Sequence, residues 1–153
     1  MSFVAVQRRE GMESTKPQNL QITSIRSKWS EEAANQSVGA WLRLATSRAE
    51  KFDMVAGQTH ELALGARKAL RNIDNQEQQK RWLGVPFLGI GISKQVKPLV
   101  DGRVLAAAVI TSVTMEIALT ILVRALETQV QPPERTIVDA SSFPELEKLT
   151  SKR

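Results

Sequence analysis

The sequence predicts an all-α protein: a long amphipathic helix or helical hairpin over about 30–82, a strongly apolar helix over about 98–129 and a short terminal helix over 143–150. Three observations predict it. Ala, Leu, Gln, Glu, Lys and Arg fill long stretches, and these are good helix formers. Aromatic residues are only 5% of the chain and Tyr is absent, whereas small β-sandwiches and barrels need aromatic and β-branched strands. Apolar residues recur at alternating spacings of three and four from Val38 to Ile73, the pattern of a helix that buries a broad face.

Residues 1–29 form a basic arm, expected to be mostly irregular because Gly11, Pro17 and scattered Ser and Thr interrupt it. Residues 1–28 hold five basic and two acidic side chains, so the arm carries most of the net charge of +5. Arg8, Arg9, Lys16, Arg26 and Lys28 are the candidate contacts for an anionic partner, whether nucleic acid or anionic lipid.

Ser30 then signals a helix start. Its hydroxyl can accept from an unpaired backbone N–H, and Glu31 and Glu32 suit the positive end of the helix dipole. The expected oligomer or core stripe is Val38, Trp41, Ala45, Phe52, Val55, Leu62, Ala66, Ala69 and Ile73. The many alanines point to a close helix–helix approach, and Gly57 offers a break that would turn one helix into a hairpin. Gly84, Pro86, Gly89 and Gly91 stop the helical pattern, leaving an apolar turn or membrane-interface segment.

Val104 to Val123 carries ten Val, Leu or Ile residues, four Ala and one Met, with Arg103 and Arg124 at its ends. Twenty helical residues span about 30 Å, the thickness of a bilayer core. Residues 104–123 are therefore a candidate membrane span within a helical domain of 30–129. Ser112, Glu116, Thr120 and Arg124, spaced by four, form one polar line, expected to pair with another helix. Lys94, Lys97 and Arg103 before the span, against Arg124 and Arg135 after it, lean toward an N-terminus inside. Pro132 and Pro133 end the apolar helix, and residues 130–153 make a tail.

The chain has no Cys, which excludes a disulfide framework, a thiolate metal site and a cysteine nucleophile, and it fits a reducing compartment. A single histidine, His60, excludes a histidine-rich metal cluster. His60 reads as a surface residue beside the stripe, with Glu61 next to it but facing elsewhere on a helix. No acid–base couple stands out, so no catalytic residue, metal or cofactor is expected. The expected function is a non-enzymatic, membrane-associated helical scaffold that self-associates or binds partner helices. One alternative is a soluble coat or scaffold subunit with the apolar helix as its core. The other is a nucleic-acid accessory protein working through the basic arm.

Overall fold

The structure, a computed structural model, describes residues 2–49 and 51–146. It is an α/β protein rather than all-α. In chain order it runs α1 (Phe3–Thr15), α2 (Glu31–Leu42), a 3-10 turn (Ala45–Ala49), β1 (Val55–Ala56), α3 (His60–Arg71), α4 (Gln76–Leu83), β2 (Phe87–Gly91), α5 (Ser93–Asp101), β3 (Ala107–Ile110), α6 (Thr114–Thr128) and β4 (Ser141–Phe143). The four strands make a mixed sheet. Two compact units divide the chain, Met1–Gly89 and Ile90–Arg153.

In the first unit, Ser30 caps α2 as its sequence position requires, its hydroxyl accepting from the Ala33 amide. The helix nevertheless ends at Leu42, far short of Trp82. The chain crosses the 3-10 turn and enters β1, which pairs in parallel with β2 through Val55 opposite Phe87 and Ala56 opposite Leu88. The Val55 amide donates to the Pro86 carbonyl at 3.0 Å and the Gly57 amide to the Leu88 carbonyl at 2.9 Å. A parallel partner 32 residues downstream, Phe87 against Val55, leaves no local trace in the sequence, which is why the stripe reads as helix straight through residues 52–59. The segment expected as an apolar turn around Gly89 and Gly91 is β2 itself.

Helices α2 and α3 pack closely, as the alanines imply. A Cβ at Gly65 would lie 2.1 Å from the Glu31 carbonyl oxygen and 2.7 Å from the Ala34 Cβ, so only glycine fits that crossing. The buried hydrophobic side chains described in this unit are Ala34, Ala63, Ala66, Ala69, Leu70, Trp82 and Phe87, and Ser47 and Gly65 are buried with them.

In the second unit the expected helix over 98–129 is three elements. Helix α5 starts earlier, at Ser93, and carries Pro98 in its interior. It stops at Gly102 because Arg103 turns into the left-handed region, with φ 57°. Beyond that turn Ala107–Ile110 forms β3, antiparallel to β4 with Ala108 opposite Phe143 and Ile110 opposite Ser141. The apolar run 104–123 is thus a turn, a strand and the first part of α6. No described helix is long and apolar enough to cross a membrane. The expectations of a membrane span, a coiled coil and a helical bundle fall with the single helices they needed, and so does the membrane-associated scaffold built on them. Of the short helix expected over 143–150, Phe143 belongs to β4, Leu146 is helical, and residues 147–150 lie outside the described residues.

Candidate functional site

In open α/β sheets ligands sit outside the carboxyl ends of the strands, where the chain turns into the next helix. In the first unit that corner is Gly57-Gln58-Thr59-His60-Glu61, between β1 and α3. Gly57 makes the turn possible, since a Cβ there would lie 2.5 Å from both the Ala63 amide nitrogen and the Thr59 carbonyl oxygen. Thr59 is extended and caps α3, its hydroxyl accepting from the Leu62 amide at 3.3 Å.

Polar side chains of different chemistry lie along this corner. Burial works against the charge on Glu61. Hydrogen bonds from its own amide and from the Thr59 hydroxyl, with the neighbouring His60, outweigh that cost and hold the carboxyl below its ordinary value. His60 Nδ1 lies 3.2 Å from a Glu61 carboxylate oxygen. That is close enough for an ion pair when the ring is protonated, but the approach does not make a hydrogen bond. The two groups meet because they start the helix, where side chains of consecutive residues can turn toward the capping loop. Arg8 of α1 donates from its guanidinium to the Gln58 carbonyl, and the Gln58 amide donates back to the Ala5 carbonyl at 3.5 Å. Arg8 also stacks over Trp29, 5.7 Å from the ring centroid.

The second feature of this unit is aromatic. The rings of Trp41, Phe52 and Trp82 sit in one cluster, with centroids 5.5 Å (Trp41–Phe52), 5.6 Å (Trp41–Trp82) and 5.9 Å (Phe52–Trp82) apart. They border a cleft of about 90 Å³ whose wall is otherwise aliphatic apart from Thr23. Trp82 is 1% exposed, and its indole N–H has no acceptor. Leaving such a donor unpaired costs about 1–3 kcal/mol. Nearby, Arg67 stacks on Phe87 at 5.1 Å. Burial and the charge of Arg71 lower the Arg67 pKa from a high starting value.

The residues expected from sequence are dispersed. Of the stripe, Val38 and Trp41 lie on α2, Ala45 opens the 3-10 turn, Phe52 is in the following loop and Val55 is in β1. Leu62, Ala66 and Ala69 lie on α3, and Ile73 follows it. Val38, Trp41, Phe52, Val55 and Ala66 meet again around the aromatic cleft, from four separate segments. Of the polar line, Ser112 precedes α6, while Glu116, Thr120 and Arg124 are exposed along it, and the Thr120 hydroxyl donates to the Glu116 carbonyl at 2.9 Å. In the basic arm, Arg8 and Arg9 are on α1, Lys16 pairs with Glu13 at 2.8 Å, and Arg26 and Lys28 lie in the connection to α2. Gln58 escapes sequence reasoning, which also turns Glu61 away from His60 although the two side chains meet. The available signal was Gly57 followed two residues later by Thr59, a corner and a cap in succession.

In the second unit the larger cavity, about 370 Å³, lies between α6 and residues 132–138 and is lined by apolar and hydroxyl side chains. Among the described residues no group of His, Asp and Glu is placed to hold a metal ion.

No protein-family profile matches the chain, and no curated protein matches it. Solved structures do. The fructose-binding periplasmic domain of a hybrid two-component system is 20% identical, with a TM-score of 0.68 over 96% of this chain and 50% of that one. A galactofuranose-binding protein is 16% identical, with a TM-score of 0.63 over 96% of this chain and 51% of its own. An ABC-transporter solute-binding protein from Burkholderia multivorans is 17% identical, with a TM-score of 0.60 over 88% of this chain and 44% of that one. The chain therefore spans about half the length of the proteins it resembles. At these identities the likeness concerns the fold alone, and the fold is α/β, like that of periplasmic solute-binding proteins.

Proposed function

We propose that the chain binds a small, hydroxyl-rich solute of the sugar class without transforming it, and that the corner between β1 and α3 supplies polar contacts. The observation that carries this reading is the run Gln58-Thr59-His60-Glu61 at the carboxyl end of a parallel strand, where α/β sheets take their ligands. The chemistry suits a sugar. An ionised carboxylate accepts from paired hydroxyls, an imidazole can donate from one nitrogen and accept at the other, and a primary amide does both. The fold likeness to proteins described as fructose-binding and galactofuranose-binding supports the choice of solute. The same likeness, to proteins described as solute-binding and sugar-binding, supports binding without turnover.

Titration calorimetry with D-fructose, methyl β-D-galactofuranoside and D-erythrose tests this. At least one sugar is expected to bind, with Glu61→Gln and His60→Ala each weakening it by roughly tenfold, about the worth of one charge-assisted hydrogen bond. Absence of binding across the panel, or variants with unchanged affinity, overturns the assignment.

A further inference from the structure

Helix α6 leaves most of its apolar surface uncovered. None of its residues is buried. Ile117, Ile121 and Ala125, spaced by four, form its half-buried side, and Ile117 and Ile121 line the cavity shared with residues 132–138. The opposite side carries Met115, Leu119, Leu122, Val123 and Leu126, which are 50–67% exposed. At 3.6 residues per turn these five fall within an arc of about 100°. A helix of this length is marginal in water unless an apolar face is packed, so the bare side calls for a partner.

Three observations select a second copy of this chain. The first is self-complementarity. The row Met115, Leu119, Leu122 and Leu126 runs at intervals of four, three and four, so it reads the same in both directions. Two copies of α6 laid antiparallel about a two-fold axis place Met115 opposite Leu126 of the other copy, and Leu119 opposite Leu122, with no charge inside the row. The second is area. A half-exposed Leu, Val or Met side chain offers roughly 60 Å² of apolar surface. With Val113 and Val130, exposed at the two ends of α6, two copies together offer roughly 900 Å², the size of a weak, reversible interface. The third is charge. Glu116 and Glu127 outnumber Arg124 on α6, whereas helices that lie on anionic membranes carry Lys and Arg on the polar face. Nor do residues 147–153 suit the face, because Leu149 is their one apolar side chain among charged and hydroxyl groups.

We infer that α6 is an interaction surface for a second copy of this chain, the two helices meeting antiparallel along Met115, Leu119, Leu122 and Leu126 in a reversible dimer. Burial of this row on pairing supplies the packing that each copy of α6 lacks alone.

Sedimentation velocity of the intact chain, from micromolar to millimolar concentration, tests this. The expected result is a concentration-dependent shift from monomer to dimer. Leu119→Glu sets a carboxylate against Leu122 of the other copy, and Leu122→Lys sets an ammonium against Leu119. Each is expected to weaken the dimer at least tenfold. Both positions are exposed, so both variants are expected to keep the circular dichroism of the unaltered chain. Mixing the two variants brings the carboxylate and the ammonium together, because antiparallel pairing sets position 119 against position 122. The mixture is expected to regain a dimer with one chain of each kind. A monomer at every concentration, variants that dimerise like the unaltered chain, or a mixture that stays monomeric overturns the inference. A monomer that sediments with phosphatidylcholine–phosphatidylglycerol vesicles also overturns it, giving the face to lipid. Sugar affinity is read separately by calorimetry and is expected to be the same in Leu119→Glu, so failure here and failure of the sugar reading are distinguishable.

Discussion

Gly65 and Glu61 show how much single residues decide. Gly65 sits where α2 and α3 cross, and a methyl group there would press into the Glu31 carbonyl and the Ala34 side chain. Gly65→Ala is therefore expected to destabilise the fold despite the better helix propensity of alanine. Propensity favours the change by about 1 kcal/mol, while overpacking a tight contact costs roughly 1–3 kcal/mol, so packing wins. A lowered midpoint of urea unfolding checks this, and an unchanged or raised midpoint contradicts the crossing. Glu61 makes a pH prediction. Its folded pKa lies below the unfolded value, so its contribution is full above the unfolded value and is lost as pH falls through the folded one. Stability should decline on acidification below the ordinary glutamate range, and Glu61→Gln should reduce that part of the slope. Parallel profiles for the two proteins would remove Glu61 from the account. Among these residues, the cap at Ser30 was legible because it needs only a hydroxyl followed by a turn of helix. The contact between His60 and Glu61 was not, because it depends on α3 starting at His60.

Among the elements, α2 and α3 are locally encoded by their caps, whereas the strands are not, and α1 (Phe3–Thr15) forms without a side-chain cap where the sequence predicts irregular chain. Helix α3 has a cap at Thr59, an acidic first turn at Glu61 and basic residues Lys68 and Arg71 in its last turn. Thr59→Ala is expected to cost about 1 kcal/mol, the usual worth of an N-cap, and to raise hydrogen exchange first at the Leu62 amide. Uniform exchange changes along the whole helix would show that the cap is not local. The strands β1 and β3 are short, with bounds Val55–Ala56 and Ala107–Ile110. Neither alternates cleanly, and each takes its hydrogen bonds from distant segments, so the helix-like spacing of the surrounding apolar residues hid them. The break after α5 was equally hidden, since the left-handed backbone falls on Arg103 rather than on glycine.

For the whole molecule, composition pointed away from catalysis by cysteine and from histidine metal clusters, and those exclusions need no fold. It did not reveal the mixed sheet, because alanine-rich helices packed on short strands have the same residue usage as a helical bundle. The apolar run 104–123 illustrates the cost: hydropathy suits a span, yet its backbone bonds are divided among a turn, β3 and α6. A solute that binds only the folded chain raises its stability by RT ln(1 + [L]/Kd), about 2.7 kcal/mol at a hundredfold excess over Kd. A bound sugar is accordingly expected to raise the thermal midpoint by several degrees, and a midpoint independent of sugar concentration would deny specific binding to the folded state.

The most direct measurement of the central claim is a backbone amide map of the isotopically labelled chain titrated with D-fructose and methyl β-D-galactofuranoside. Saturable shifts are expected for one of them, including the amides of Gln58, Thr59, His60 and Glu61. Saturable binding that leaves those four amides unmoved, or no saturable shift with either sugar, contradicts it.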